Sequence, residues 1–453
     1  MKVLLLENIS AVAVQVFRDA GYEVESLSAA MDERELVQKL ADHNRRGTPV
    51  SILGVRSKTR ITAAVLEAAT SPPLATPARS GAPKTSPLKP KAGLNGAPEL
   101  AAELRSARTG QRPVPTQATT GLVAIGAFCI GVDKIDRAAA SERGVAVFND
   151  PHSNSRSVAE LAMGEIIVLL RRGFALSTQL HSGVWNKSAA GAHEVRGLTL
   201  GIVGYGKIGS QVSDLAEAMG MRVVFYDVSH VLARGNARAV GFRELLAMAD
   251  VVTLHVDGKP QNQNLFGRDE FAAMKDGACF LNLSRGFVVD HEALAACLKS
   301  AKIAGAAVDV FPKEPESGAG FASVLQGLGN VILTPHIGGS TEEAQQNIGQ
   351  FVSAKLVDYV RTGNSMLSVN LPHCHLEFEE GSHRLMHIHH NVPGILRAIN
   401  DILADRGINI ERQVLDTRAT LGYAIYDINR RCDDELMGEL RAVPHTIAVR
   451  RGE

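Results

Sequence analysis

Three glycines with the spacing GxGxxG form the most specific chemical pattern in the sequence. Gly204, Gly206 and Gly209 follow the strand-like run LTLGIV and open a helix-like run, and Asp227 ends the next strand-like run. Glycines in such a turn let backbone N–H groups approach a pyrophosphate, which the helix N-terminus also favours. A carboxylate at the Asp227 position accepts hydrogen bonds from a ribose diol and repels a 2′-phosphate. The pattern predicts a dinucleotide site that prefers NAD to NADP.

Three further polar residues follow predicted strands and could perform acid–base chemistry. Arg285 follows the run ACFLNLS, Glu314 follows IAGAAVDVF, and His336 ends NVILTPH. Open α/β sheets bind ligands at the carboxyl ends of their strands, so the three side chains are expected to meet there. A guanidinium can bind a substrate carboxylate, and an imidazole oriented by a carboxylate can act as general acid and base. Taken singly, each residue type is more often a surface charge or a core histidine. Together they predict a catalytic site.

The composition indicates a folded protein of several domains and argues against some partners. The chain has 453 residues, of which 45% are hydrophobic and 21% are charged, and this length suggests about three domains. The 48 basic and 48 acidic side chains give zero net charge, so neither nucleic acid nor a membrane surface is expected as a partner. The opening MKVLLLENIS is expected to form a buried strand rather than a signal peptide. The five scattered cysteines are expected to be reduced thiols of a cytoplasmic enzyme.

The N-terminal part alternates predicted strands and helices, which favours a parallel sheet. Residues 70–121 break this rhythm, because they hold nine of the 18 prolines and seven basic but only two acidic side chains. Such a composition cannot bury enough apolar surface to fold. A disordered insertion and a short stretch read in the wrong frame both account for it. Order resumes beyond it, with a long helix predicted over 154–172 and capped by Asn154 or Ser155.

A smaller unit begins after Thr362, and its pattern is β-α-β-β. This order is typical of a ferredoxin-like regulatory module. The unit contains histidines and a cysteine that could bind zinc, but the run LMHIHHN is an ordinary alternating strand, and the sequence has no CxxC spacing there. We therefore predict no metal site.

Residues 145–341 resemble the D-isomer-specific 2-hydroxy-acid dehydrogenases. The similarity is carried by the runs FNDPHSNSRSVAEL, GVWNK, GYGKIG, LNLSRGFVVD, GAAVDVFPKEP and TPHIGGSTEEAQ. The N-terminal GVRSKT, the strand AIGAFCIG and the tail MHIHHNVPG extend the resemblance to members with a C-terminal ACT domain. It covers nearly the whole chain except residues 70–121. The sequence departs from the family at Asp257, where proline is usual, and at His390 and Val392, which replace a more polar pair.

The resemblance implies roles for individual residues. His336 matches the family's proton donor and acceptor, Glu314 the carboxylate that orients the histidine, and Arg285 the arginine that binds the substrate. Arg56 and Ser57 match the loop that holds the other anionic end of the substrate. The positions that match contacts to NAD are Asn154, Gly204, Gly206, Lys207, Ile208, Gly209, Asp227, Leu283, Ser284, Arg285, Asp309, His336, Gly338 and Gly339. The positions that match an effector site for serine are His389, Asn391 and Asn409.

The implied fold is a Rossmann-type NAD domain inserted in a flavodoxin-like α/β substrate domain, followed by a ferredoxin-like ACT domain. We expect the substrate domain at 1–152 and 338–366, the NAD domain at 153–337 and the ACT domain at 367–453. The implied activity is NAD-dependent oxidation of 3-phosphoglycerate in serine biosynthesis. The resemblance also implies a homo-oligomer, with a tetramer as the expected form, and inhibition of the enzyme by serine. Two alternatives stay open, because fold alone does not determine function. One is a sister enzyme acting on 2-oxoglutarate, hydroxypyruvate or glyoxylate, and the other is a non-enzymatic protein that senses NAD.

Overall fold

Three sheets organise the protein. The computed structural model describes residues 1–70, 121–315, 318–379 and 381–452, so the predicted insertion lies outside the described residues from 71 to 120. Within the described ranges, no helix is both long and apolar enough to cross a membrane. The predicted α/β fold class with a smaller C-terminal module is confirmed.

The first sheet is parallel and is covered by helices. Its elements are β1 (Lys2–Leu5), α1 (Ala11–Asp19), β2 (Glu23–Ser26), α2 (Glu33–Arg45), β3 (Val50–Val55), α3 (Ala63–Thr70), β4 (Ala124–Ala127), α4 (Arg137–Glu142) and β5 (Ala146–Asn149). The strands lie in the order β2-β1-β3-β4-β5. Asp32 begins α2 through a capping box with Glu35, since each side chain accepts the other's backbone N–H.

Helix α3 and the chain leading into β4 meet where the described residues stop and resume. Thr70, which its neighbours' composition placed in the predicted insertion, is the last residue of α3 and is buried. Gly121, at the other predicted limit, is also buried, and a Cβ atom on it would lie 2.3 Å from the carbonyl oxygen of Ala69. The N–H of Leu122 donates to that same carbonyl at 3.1 Å. Tertiary packing holds residues 70 and 121 side by side, so the prediction of disorder is wrong for these two residues.

The second sheet is also parallel and has seven strands. Its elements are α5 (Ser155–Leu170), α6 (Gly173–His181), β6 (Thr199–Val203), α7 (Lys207–Ala218), β7 (Arg222–Tyr226), β8 (Arg238–Ala239), α8 (Phe242–Met248), β9 (Val251–Leu254), α9 (Arg268–Ala273), β10 (Ala278–Asn282), α10 (His291–Lys299), β11 (Ile303–Val308) and β12 (Val331–Leu333). The strand order is β12-β11-β10-β9-β6-β7-β8. The order reverses beside β6, and such a reversal opens a ligand crevice at the carboxyl ends of the strands.

The third sheet is antiparallel and follows the helix α11 (Glu342–Thr362). Its elements are β13 (His383–His390), α12 (Ile395–Asp405), β14 (Ile410–Arg418), β15 (Leu421–Ile428), α13 (Asp434–Ala442) and β16 (Thr446–Arg451). The strand order β14-β15-β13-β16 is the ferredoxin-like one. The structure thus adds α13 and β16 to the predicted β-α-β-β pattern.

Helix α11 joins the first sheet to the third. It packs on α1, β4 and β5, and its last turn contacts residues of the third sheet. The hydroxyl of Tyr423 donates to the carbonyl of Gly363 at 2.6 Å, and the guanidinium of Arg450 lies 4.4 Å from the centre of the Tyr359 ring. A single hydrophobic cluster continues from the first sheet through α11 into the third sheet. The C-terminal module therefore shares a core with the N-terminal one.

Candidate active site

The glycine turn connects β6 to α7 and leaves the start of that helix open. Gly204 has a φ of +92°, and a Cβ atom on Gly209 would lie 2.2 Å from the carbonyl oxygen of Gly204, so both positions require glycine. Gly206 is the N-cap of α7, and no atom of the described chain lies within 4 Å of the place its Cβ would take. The first turn of α7 therefore presents its N–H groups and its dipole to open space. This arrangement fits a pyrophosphate.

Asp227 and Lys207 lie beside this turn. The Asp227 carboxylate follows β7 and accepts hydrogen bonds from the N–H groups of Tyr205 and Ser229, both at 2.8 Å. It is thereby fixed in place, and its remaining lone pairs can accept ribose hydroxyls. Lys207 begins α7, and its ammonium lies 2.6 Å from Nε2 of His152, while the next residue, Ile208, packs against the hydrophobic cluster of the second sheet. A fixed carboxylate and a nearby cation match the ribose and pyrophosphate of a dinucleotide.

The side chain of Asn154 faces the site rather than its own helix. Asn154 occupies the N-cap position of α5, but its Oδ1 is buried and has no hydrogen-bond partner among the residues that the structure describes. A Cβ atom on Gly339 would lie 2.2 Å from Nδ2 of Asn154, so the two residues are in close contact. Asn154 therefore takes the predicted N-cap position, but its side chain makes no capping hydrogen bond. A buried amide oxygen without a partner costs free energy, which a donor on a bound cofactor can recover.

Arg285, Glu314 and His336 lie together at the carboxyl edge of the second sheet, after β10, β11 and β12. Nδ1 of His336 lies 2.8 Å from Oε2 of Glu314. The charge of Arg285 is close enough to affect the pKa of both partners. Its half-buried side chain lies against Gly258, where a Cβ atom would be 3.3 Å from the Nε of Arg285. The site thus holds a cation, an imidazole and a carboxylate within one crevice.

The contact between Glu314 and His336 changes the pKa of each side chain. The hydrogen bond that Nδ1 of His336 donates to Glu314 raises the pKa of His336, and this effect outweighs burial and the charge of Arg285. Burial raises the pKa of Glu314, but the hydrogen bond and charge of His336 outweigh burial and hold that pKa below its ordinary value. An imidazole with raised proton affinity is well suited to accept a proton from a hydroxyl group.

Asp309 organises the loop that carries His336. Its buried carboxylate accepts hydrogen bonds from Oγ1 of Thr334 at 2.6 Å and from the N–H groups of Ile337 and Gly338, both at 2.8 Å. Its carbonyl accepts the N–H of His336 at 2.8 Å. These bonds hold His336 at a φ of +54°, a left-handed conformation in which a non-glycine residue is strained. The resemblance implied a cofactor contact for Asp309, and the geometry adds a positioning role.

Three buried residues lie behind this edge. Leu283 belongs to the hydrophobic cluster under the second sheet, and the hydroxyl of Ser284 donates to Oδ1 of Asn282 at 2.7 Å. Both side chains contact the protein's own core, and the contacts to NAD that the resemblance implied at these positions stay a prediction. The sequence gives no sign that Glu165, in α5, lies near the site, because a glutamate in a helix is usually a surface charge. Burial raises the pKa of Glu165 to about 8, with the charge of Asp309 as the second cause. At neutral pH this carboxyl is mostly protonated.

Arg56 and Ser57 follow β3, at the corresponding edge of the first sheet. Arg56 is half-buried and Ser57 is exposed. Sγ of Cys129 lies 3.2 Å from the carbonyl oxygen of Arg56 and 3.1 Å from that of Gly131, so its thiol can donate to either. Burial raises the pKa of this thiol to about 12, while the positive charges of both Arg56 and Arg285 oppose the increase. The two arginines, from different sheets, are therefore both close enough to Cys129 for their charges to affect its thiol.

The three predicted effector residues are not brought together within one chain. His389 is buried, and its Nδ1 lies 3.2 Å from Nδ1 of His387. Asn391 follows β13 and Asn409 precedes β14. Because the last residues of both strands pair with Leu421, the two asparagines lie at opposite ends of the third sheet. A single site that uses both asparagines needs two copies of this sheet.

Comparisons with known proteins agree with this fold and site. Residues 163–338 match the family described as D-isomer specific 2-hydroxyacid dehydrogenase, NAD binding domain, and residues 385–448 match the AHAS small subunit-like ACT domain. A D-lactate dehydrogenase from Sporolactobacillus sp has a similar solved structure, with a TM-score of 0.61 and 27% identity over 82% of this chain and 99% of that one. Curated relatives match nearly the whole sequence at 41% to 43% identity. The chain belongs to the D-isomer-specific 2-hydroxyacid dehydrogenase family, and its second sheet forms the NAD-binding domain.

Those curated relatives carry one name. D-3-phosphoglycerate dehydrogenase from Escherichia coli is 41% identical over 99% of this chain and 97% of its own length. D-3-phosphoglycerate dehydrogenase 2 from Saccharomyces cerevisiae is 43% identical over 95% of this chain and 82% of its own length. The predicted family, its ACT domain and NAD as the cofactor are confirmed.

Proposed function

We propose that the protein oxidises 3-phospho-D-glycerate to 3-phosphohydroxypyruvate with NAD, the first step of serine biosynthesis. The observation that carries this proposal is the pair of His336 and Glu314, 2.8 Å apart and close to Arg285. The pair lies at the edge of a sheet whose glycine turn fits a dinucleotide. Relatives named for this activity match the chain along nearly its full length.

The reacting end of the substrate is handled by the second sheet. The guanidinium of Arg285 pairs with the substrate carboxylate. Bound NAD supplies the hydride acceptor for C2. Nε2 of His336 accepts the proton of the C2 hydroxyl, because Nδ1 is engaged by Glu314 at 2.8 Å. Glu314 then stabilises the imidazolium that this transfer creates.

The other end of the substrate is handled by the first sheet. Arg56 and Ser57 bind the phosphate, so the substrate spans the crevice between two sheets. The charges of Arg56 and Arg285, from different sheets, both reach Cys129, and this supports a substrate with an anion at each end. Asp257, where the family usually has proline, is exposed and pairs with Lys259 at 2.7 Å. Its charge is therefore partly compensated within its own loop.

The test is a panel of 2-keto acids with purified protein and NADH. We expect 3-phosphohydroxypyruvate to give the highest kcat/KM, ahead of hydroxypyruvate, 2-oxoglutarate and glyoxylate. A His336→Ala protein prepared in parallel controls for contaminating dehydrogenases. A clear preference for another keto acid would make the protein a sister enzyme. Binding of NADH without turnover of any keto acid would make it a non-enzymatic protein that senses NAD.

A homo-oligomer, with a tetramer as its expected form, is the second part of the proposal. Large apolar side chains are exposed in and just after α6, and burial against a second copy would remove them from water. They are Phe174 (50%), Leu180 (54%), Val184 (53%) and Trp185 (78%). Serine is the proposed effector, at a site that combines Asn391 of one copy with Asn409 of another. Light scattering gives the mass, and inhibition curves with serine test the effector.

The proposed location is the cytoplasm. All five cysteines are free thiols, and three of them are buried. Free thiols of this kind support a reducing compartment.

A further inference from the structure

Glu7 is a buried carboxylate at the edge of the first sheet to which the activity assigns no role. It follows β1 and its side chain and backbone are 7% exposed. Glu7 and its neighbour Asn8 have φ values of +66° and +52°, in the left-handed region that non-glycine residues rarely adopt. Backbone bonds to Ala29 and Leu27, both 3.1 Å long, hold the two residues in this conformation. Strain of this kind persists where the surroundings enforce it, and it concentrates near functional sites.

The carboxylate of Glu7 accepts three successive backbone N–H groups from the loop after β3. Its Oε2 accepts those of Ser57 at 2.9 Å and Lys58 at 3.0 Å, and its Oε1 accepts that of Thr59 at 2.7 Å. Charge-assisted bonds to backbone amides are stronger than neutral ones and fix geometry. The loop is thus wrapped around a side chain from the neighbouring strand.

The same contacts decide what the loop can offer to a ligand. Three consecutive N–H groups could form a concave anion site, but here the protein's own carboxylate occupies it. The side chains of Ser57 and Lys58 are exposed, while Thr59 is buried. Recognition of an external anion by this loop is therefore left to its side chains, whose direction depends on the bonds to Glu7.

A second contact, from a residue that follows β4, holds the same loop. The thiol of Cys129 shares its one proton between the carbonyl of Arg56, at 3.2 Å, and that of Gly131, at 3.1 Å. Cys129 follows β4, the next strand of the sheet beyond β3. The loop is therefore fixed from both neighbouring strands, by Glu7 on one side and by Cys129 on the other.

We propose that Glu7 is a positioning residue that holds residues 57–59 so that Arg56 and Ser57 face the distal anionic end of the substrate. The proposal rests on the proposed function, because it assigns that end to a phosphate. Glu7 acts through the loop and does not touch the reacting atoms. Its loss should therefore weaken binding of the distal anion and leave hydride transfer and NADH binding intact.

The test compares a keto acid that carries the phosphate with one that lacks it. Kinetic constants are measured for 3-phosphohydroxypyruvate and hydroxypyruvate with Glu7→Gln, which keeps the size of the side chain and places an amide donor against the loop's N–H groups. Glu23→Gln on the same sheet is the matched control, since the Glu23 side chain is 67% exposed and bonded to Lys2. We expect Glu7→Gln to raise the KM for 3-phosphohydroxypyruvate about tenfold, the scale of one lost charge-assisted bond. The KM for hydroxypyruvate and NADH and the values of kcat should stay near those of the control.

An equal change in KM for both keto acids, or no change, would overturn the proposal, because a general structural defect does not select for the phosphate. Should Glu7→Gln fail to fold, Cys129→Ala decides. It removes one weaker bond to the same loop and should raise the KM for 3-phosphohydroxypyruvate about threefold, again without affecting hydroxypyruvate. Wild-type protein that does not reduce 3-phosphohydroxypyruvate would refute the proposed function instead. The effect of Glu7→Gln on the KM for 2-oxoglutarate, a keto acid that also carries a distal anion, would then test the positioning role of Glu7.

Discussion

Replacing Glu314 by glutamine separates the charge of this residue from its size. In the unchanged protein, Nδ1 of His336 lies 2.8 Å from the Glu314 carboxylate. The substitution retains an acceptor oxygen that can face Nδ1, but it removes the negative charge. The hydrogen bond that Glu314 accepts from His336 is the largest cause of the raised pKa of His336. In Glu314→Gln the pKa of His336 should therefore fall toward its ordinary value.

The magnitude follows from the exposure of the pair. A hydrogen bond to a charged group contributes about 1.5–3 kcal/mol when water is excluded, and an exposed ion pair contributes about 0–1 kcal/mol. The side chains of His336 and Glu314 are 48% and 40% exposed, so solvent screens part of the interaction. An intermediate value of about 1.4 kcal/mol corresponds to a tenfold loss in kcat for oxidation at the high-pH plateau.

The direction of the pH dependence differs between the two reactions. Oxidation needs neutral His336, so its rate rises as pH increases through the pKa of that histidine. Reduction needs protonated His336, so its rate is full below that pKa and is lost above it. Since Glu314→Gln lowers the pKa, both transitions should move to lower pH, while only the oxidation plateau should fall.

The measurement is the rate of oxidation and of reduction as a function of pH, taken by steady-state kinetics across the titration range of histidine. Glu244→Gln, an exposed substitution in α8 of the same domain, is the control. Transitions that stay at the wild-type pH, with or without a loss of rate, would refute the idea that Glu314 sets the proton affinity of His336.

Four further predictions follow from the site and the fold. His336→Ala should lower kcat at least about 100-fold while NADH still binds in a fluorescence titration, and near-normal turnover would remove it from the mechanism. Asp227→Ala should weaken NAD binding and narrow the preference for NAD over NADP, measured as a ratio of kcat/KM values; an unchanged ratio would contradict its assignment to the ribose. Deletion of residues 71–119 should preserve folding and activity, because the chain leaves and resumes at adjacent points; collapse of the deletion variant would show that the segment supports the fold. Serine should inhibit the enzyme, and Asn391→Ala should relieve that inhibition without changing uninhibited kcat; a flat response to serine in oligomeric protein would assign the tail to another ligand or to assembly alone.

The parts of the fold that depend on local patterns could be predicted from the sequence. The strand, glycine turn, helix and strand that became β6, α7 and β7 are specified by residues close together in the chain, and the same holds for the capping box of α2. The third sheet was predicted less completely. Helix α13 has nine residues and three buried side chains, Leu436, Met437 and Leu440, too few to give a clear helical period.

The parts of the site that depend on distant contacts could not be predicted. Glu7 bonds a residue 50 positions away, and a single glutamate after a strand carries no sign of that partner. His389 alternates with its neighbours on a strand that is buried on both faces, so the pattern does not show whether it faces a ligand or the core. Asn154 satisfied the composition rule for a helix cap, but its amide oxygen is buried without a partner in the described chain, next to the site. In each case the surroundings of the side chain are set by tertiary packing, which the neighbouring residues in the sequence do not reveal.

The shared core around α11 determines what can be removed from this protein. Helix α11 begins beside the loop that carries His336 and ends with Tyr359 beneath Arg450 and with Gly363 bonded to Tyr423. A chain shortened after Gly363 would expose the apolar face that α11 and β5 now present to the third sheet. The first two sheets are therefore not expected to form a stable protein without the ACT module. The smallest unit that folds and works therefore includes the third sheet, and any graft of this module onto another dehydrogenase must bring the last turn of α11 with it.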